Sequence, residues 1–135
     1  MKRAALLIAI ASLAGCRGDL PSPTVDTGAK ETAIGYFTAF ANGDAAGAYS
    51  NLDSDIRGKV SADAFARQTT AYKRKVGYHV DRVHVQTCEE NGDVATAHVV
   101  LIGRSAGHSR RFEDAVALRR RDGKWGVVLP ANALR

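Results

Sequence analysis

The sequence predicts an α+β domain in which N-terminal helices pack on a strongly curved four-stranded antiparallel sheet. Three observations predict it. Apolar residues recur at spacings of three and four from Ala29 to Arg74, then change to alternation from Val76 onward. Asn91-Gly92 and Asp122-Gly123 each sit between alternating runs, the pattern of a tight hairpin. A block of helices followed by a block of strands is an α+β order.

The first helix is expected from Ala29 to Asn42. Ala33, Ile34, Phe37, Phe40 and Ala41 form its apolar stripe, Asp26 or Thr27 caps its start, and Asn42-Gly43 supplies a left-handed exit. Asp44 caps a second helix, Ala45 to Leu52, and Asp53 to Lys59 reads as a connection. Ser61 caps a third helix, Ala62 to Arg74. Its acidic Asp63 near the start and basic Lys73, Arg74 and Lys75 at the end both suit the helix dipole. Alternation around Val83, Val85 and Thr87 marks the first strand. Val94 to Gly103, apolar on both faces, marks a central one. Arg104 to Ser109 reads as a polar loop, Phe112 to Arg120 as the third strand, and Lys124 to Leu129 as the fourth, closed by Pro130.

Upstream of this domain the sequence states an address. Lys2 and Arg3 precede a short apolar run, Ala4 to Ser12, the layout of a secretory signal peptide. The run is well short of the roughly 20 residues that span a bilayer. Leu13-Ala14-Gly15-Cys16 follows and resembles the lipobox of bacterial lipoproteins. The resemblance implies cleavage before Cys16, lipidation of its sulfur and acylation of its new amino terminus. Two or three acyl chains together make a stable anchor where one does not. It also implies an envelope location. Arg17, rather than Asp, follows the lipidated cysteine, which favours the periplasmic face of the outer membrane. The expected organisation is a signal peptide over residues 1–15, the lipidated Cys16 with a flexible Pro-, Gly- and Thr-containing tether over 16–27, and the domain over 28–135. Losing Lys2 and Arg3 with the signal lowers the formal charge from +5 to +3.

The domain itself resembles the nuclear transport factor 2-like superfamily. The stretch from Ala33 to Tyr49, an aromatic-rich helix, then Asn42-Gly43-Asp44 and a second helix, looks like the opening of those domains. Leu118 to Val127, with Asp122-Gly123-Lys124-Trp125, looks like their closing hairpin. The resemblance implies a cone with a concave pocket, and lipoprotein members without an assigned activity are the nearest in character. Tyr36, Phe40, Tyr72 and His98 are the expected pocket lining, from the first helix, the third helix and the central strand.

The residues bear on enzymatic, metal and nucleic-acid chemistry in turn. The superfamily includes ketosteroid isomerase-like enzymes, whose site needs a carboxylate base and an oxyanion hole of a Tyr and a neutral acid. Tyr36 sits roughly where those enzymes place the tyrosine. Asp53, Asp55 and Asp63 do not match the base, and Asp114 is the one inward candidate for the late-strand acid, so no catalytic set is complete. His79, His84, His98 and His108 lack ligand spacing, with His84 and His98 expected on opposite faces of their hairpin, so neither a metal nor a cofactor is expected. Cys88 has no partner if Cys16 carries lipid, and reads as a free structural thiol. Arg111, Arg119 and Arg121 share one strand parity and are expected to form a basic patch, able to attract anionic head groups. Nucleic acid is excluded by the modest charge and the absence of interleaved aromatics. The leading expectation is a non-enzymatic, lipid-anchored module binding a small apolar ligand or an envelope protein. The alternatives are an assembly subunit, including a homodimer pairing through the outer sheet face, and an isomerase- or dehydratase-like enzyme using the cone pocket.

Overall fold

The computed structural model of the chain describes residues 25–131. The expected signal peptide, Cys16 and the expected tether up to Thr24 lie outside the described residues. Four helices precede four strands: α1 (Ala29–Ala41), α2 (Ala45–Ser50), α3 (Ser54–Lys59), α4 (Ala62–Val76), β1 (His79–Asn91), β2 (Val94–Ser105), β3 (His108–Arg121) and β4 (Lys124–Val128). The strands form one antiparallel meander in the order β1-β2-β3-β4, so the α+β architecture read from the sequence is the one observed.

α1 lies on the inner face of the sheet and touches all four strands. Ala29 and Ala33, both fully buried, let the helix approach closely. Phe37 and Phe40 follow them toward Val85, Ala97, Val99, Leu101 and Leu118 in the same core. The helix begins differently from expectation. Gly28, at φ 109°, precedes it with no side-chain cap, and Asp26 accepts only the Gly28 amide. The capping acceptor comes from across the sheet: Glu90 accepts the Ala29 amide at 3.3 Å and the Thr27 amide at 3.0 Å. Asp44 and Ser61 cap α2 and α4 through the amides of Gly47 and Ala64.

The Asp53 to Lys59 connection contains a helix, α3. Asp53 caps it by accepting the Asp55 amide, and Ile56 turns into the core. The same stretch covers the outer edge of β4. Leu52 bridges Val127 in parallel, with Asp53 donating to Val127 and Val127 donating to Asn51 at 2.9 and 2.8 Å. The bridge occupies the outward backbone N–H and C=O of Val127, which blunts this edge of the sheet. Gly126 makes the contact possible, since a Cβ there would sit 2.5 Å from Asp53 Cα.

The sheet departs from the expected register in two places. Ala106-Gly107 (φ 50° and 78°) replaces the polar loop with a two-residue turn, positive at both positions as in a type I′ hairpin. β2 and β3 therefore run on to Ser105 and His108. In β1 the pairing shifts between Val85 and Thr87, leaving Gln86 as an extra residue. Val85 then opposes Val99, His84 opposes Val100, and Thr87 opposes His98. The bulge reverses the parity of β1, so His84 and His98 point to the same outer face rather than to opposite faces. A second shift between Val80 and Arg82 bends the strand again.

Candidate functional site

Between α1, α4 and the end of β4 lies an aromatic cavity of about 100 Å³, lined by Tyr36, Phe37, Phe40, Phe65, Tyr72 and Leu129, with Gln68 and Thr69 as its polar residues. The helical period builds both walls. Tyr36, Phe37 and Phe40 lie within one turn of α1. Phe65, Gln68, Thr69 and Tyr72 lie at spacings of three, four and seven on α4. Phe40 meets Tyr72 edge to face at 4.8 Å between ring centres. Tyr36 meets Phe37 at 5.1 Å in the same way, and Tyr72 meets Phe112 of β3 at 6.0 Å.

The polar atoms of this cluster divide into spent and unspent. Tyr72 donates its hydroxyl to Asp114 Oδ2 at 2.5 Å, and Asp114 Oδ1 accepts the Ala115 amide at 2.8 Å. Asp114 is thus turned inward on β3, as its parity predicts. Tyr36 is only 7% exposed, and neither its hydroxyl nor the Gln68 amide bonds another described residue; since no buried side-chain polar atom among them lacks a partner, both reach the open side of the cavity. Burial, reinforced by the Asp114 carboxylate, pushes the Tyr36 phenol well above its ordinary pKa. Burial also raises Tyr72, followed by its hydrogen bond to Asp114. Both phenols therefore remain protonated donors across the physiological range.

The expected pocket residues separate at this point. Tyr36, Phe40 and Tyr72 come together on the cavity wall. His98 does not join them: it is exposed on the outer face of β2, while its neighbours Ala97 and Val99 point inward. Its apolar sequence context suggested burial, but residues 98 and 100 share the outer face, where Val100 alone is covered. The lining residues Phe37, Phe65, Gln68, Thr69 and Leu129 were missed. The α4 spacing carried that signal for three of them.

The expected basic patch does not form either. Arg111, Arg119 and Arg121 share a face of β3, but they spread over ten residues of one strand, about 33 Å at 3.3 Å per residue. Arg111 pairs with Glu113 at 2.8 Å. Arg121 donates to the buried Asp53 at 3.0 Å and also bonds Asp55, tying α3 to the β3–β4 hairpin. Cys88 is half-buried and free. Burial, with the carboxylates of Glu90, Asp26 and Glu31, pushes its thiol up and makes it a poor nucleophile. Among the described residues no cluster of three or more His, Cys, Asp or Glu could hold a metal ion, and no helix is long and apolar enough to cross a membrane. Among the described residues Asp114 is the one carboxylate bonded to the aromatic cluster, so these residues do not assemble a base and a separate neutral acid there.

No family model matches the sequence, and no curated protein matches it. Solved structures do. An NTF2-like protein from Campylobacter jejuni superposes with a TM-score of 0.55 at 20% identity, over 75% of this chain and 97% of its own. A ketosteroid isomerase-like protein from Erwinia carotovora atroseptica superposes at 0.54 and 19% identity, over 73% of this chain and 87% of its own. At such identities the likeness speaks for the fold alone, and the fold of this chain is NTF2-like.

Proposed function

We propose that this chain is a lipid-anchored envelope lipoprotein whose aromatic cavity binds an apolar group of a small molecule without transforming it. The observation that carries the reading is the Tyr36 hydroxyl, protonated and without a protein partner at the open side of an otherwise apolar cavity. An incoming acceptor replaces the solvent at that hydroxyl with a hydrogen bond in a largely apolar setting, worth about 0.5–1.5 kcal/mol. Pockets for whole drug-sized ligands run from about 300 to 1,000 Å³. A cavity of about 100 Å³ instead takes one ring or a short branched chain, with an oxygen directed at Tyr36 and the rest of the ligand outside, near Gln68. The anchor in this reading is the acylated Cys16.

The test is native mass spectrometry of residues 17–135 purified from a periplasm. All residues of the buried core fall between Ala29 and Val127, so this chain keeps its whole core. A retained adduct of defined mass, weakened in Tyr36→Phe, is the expected result. A bare chain that also fails to bind phenol in a titration contradicts it. For the anchor, the membrane-extracted protein should carry acyl mass on Cys16 and lose it in Cys16→Ala.

One observation favours an enzymatic reading as the second choice. Asp114 lies beside two protonated phenols, an arrangement suited to holding a developing oxyanion near a carboxylate. Turnover abolished by Asp114→Asn with folding intact would establish it over simple binding.

A further inference from the structure

The charge on this domain is gathered at one end of the sheet, a different place from the patch the sequence suggested. The last turn of α4 carries Lys73, Arg74 and Lys75. β1 enters the sheet directly after it, and its first residues pair with the β2–β3 hairpin end: His79 opposes Arg104, Val80 opposes Gly103 and Arg82 opposes Ile102. β3 completes the row, with Arg104 opposite Ser109, Gly103 opposite Arg110 and Ile102 opposite Arg111. Register therefore groups Arg82, Arg104, Arg110 and Arg111 at the end of the sheet that the chain enters from α4, and all of these cations are exposed. The carboxylates within this cluster are Asp81, near His79, and Glu113, paired with Arg111.

Three of the cations share the outer face. Arg82 and Arg111 flank Ile102 from the two neighbouring strands, about 10 Å apart at the usual strand spacing, and Arg104 follows Ile102 by two residues, about 7 Å along β2. Like charges so placed repel one another, and an opposing anionic surface relieves that repulsion. A pocket between α4 and the start of β1, lined by Phe40, Val76, Tyr78 and Val80, opens at this end, but the outer face that carries Arg82, Arg104 and Arg111 has no exposed large apolar side chain. Among the described residues the exposed large apolar side chains are Val25 and Val94, and both lie toward the other end of the sheet. Protein interfaces depend on a buried aromatic or aliphatic anchor. A surface held by charge alone needs none.

We infer that the basic end of the sheet docks on a bilayer containing anionic phospholipids. The choice of a bilayer over other polyanions rests on the envelope reading above. The geometry permits it. Thr27 is bound at the opposite end of the sheet by Glu90, Arg120 and Trp125, and β2 spans about 40 Å between the two ends. A chain extending from residue 16 to residue 26 reaches at most about 36–40 Å. The domain can thus lie along the membrane that holds its lipid, resting on the Arg82–Arg104–Arg111 face.

The experiment uses residues 17–135, which carry no acyl group, so its outcome is independent of whether Cys16 is lipidated. Sedimentation with vesicles of phosphatidylcholine mixed with phosphatidylglycerol is compared with phosphatidylcholine alone. The expected result is binding to the mixed vesicles only, lost at high salt. Each basic residue near such a surface accounts for about fivefold in partition. The triple variant Arg82→Gln, Arg104→Gln, Arg111→Gln should therefore bind about 100-fold more weakly. Lys30→Gln, Lys59→Gln, Lys124→Gln removes the same charge elsewhere and should lose less than tenfold. All six positions are exposed, and circular dichroism checks that both variants fold. Equal losses in the two variants would assign the binding to net charge and overturn the proposal. So would equal binding to neutral vesicles, or retention on duplex DNA with none on the anionic vesicles at the same salt.

Discussion

Tyr36 and Tyr72 face the same cavity and answer to different constraints. Tyr72 donates to Asp114, so Tyr72→Phe leaves a half-buried carboxylate without its main donor. It should cost about 1–2 kcal/mol in denaturant unfolding, the scale of a hydrogen bond to a charged group. Tyr36 has no partner among the described residues, so Tyr36→Phe should change stability by less than about 0.5 kcal/mol while weakening ligand binding about tenfold. A Tyr36→Phe protein as unstable as Tyr72→Phe would make that hydroxyl structural. The sequence made both tyrosines legible as pocket residues, because helical spacing fixes which side chains share a face. It misplaced His98, because an apolar neighbourhood marks a central strand without saying which face of it a given residue takes.

At the scale of elements, the glycines and one carboxylate report how the pieces are joined. A Cβ on Gly126 meets the backbone of Asp53, which has no rotamer with which to yield. Gly126→Ala should cost about 2–3 kcal/mol. Gly58, inside α3 with open space where a Cβ would point, gives the opposite sign: Gly58→Ala should stabilise by about 0.5–1 kcal/mol. Equal effects at the two sites would show that the segment from Leu52 to Lys59 is not held against β4 as described. Glu90 joins the start of α1 to the sheet. Slight burial raises its pKa, but the Thr27 hydroxyl and the amides of Thr27 and Ala29, with Arg120 nearby, outweigh that and hold it below the usual carboxylate range. Its contribution is therefore fully present above the unfolded value of about 4.3 and is lost as pH falls through the lower folded value. Unfolding of wild type and Glu90→Gln should differ at neutral pH and converge on acidification. Helices and strands were legible from period. α3 was not, because six residues are too few turns for a period to register. The Gln86 bulge was not either, since one extra residue reverses the face of a strand without altering its composition.

For the whole molecule, the amino terminus and the domain make separate statements. Leu13-Ala14-Gly15-Cys16, which resembles a lipobox, bears on the proposed anchor and says nothing about the cavity. The domain states a fold, and the cavity within it combines residues from α1, α4 and the segment after β4 that no local motif links. The Tyr72–Asp114 bond joins positions 42 residues apart, which is why parity could mark Asp114 as inward without revealing its partner. In the proposed function, the aromatic cavity is a binding site for an apolar group bearing an oxygen. The most direct measurement is native mass spectrometry of residues 17–135 from a periplasm, side by side with Tyr36→Phe. The account predicts an adduct of defined mass on the wild-type chain that is reduced in the variant. A wild-type chain that is bare and does not take up phenol, or an adduct indifferent to Tyr36, would contradict it.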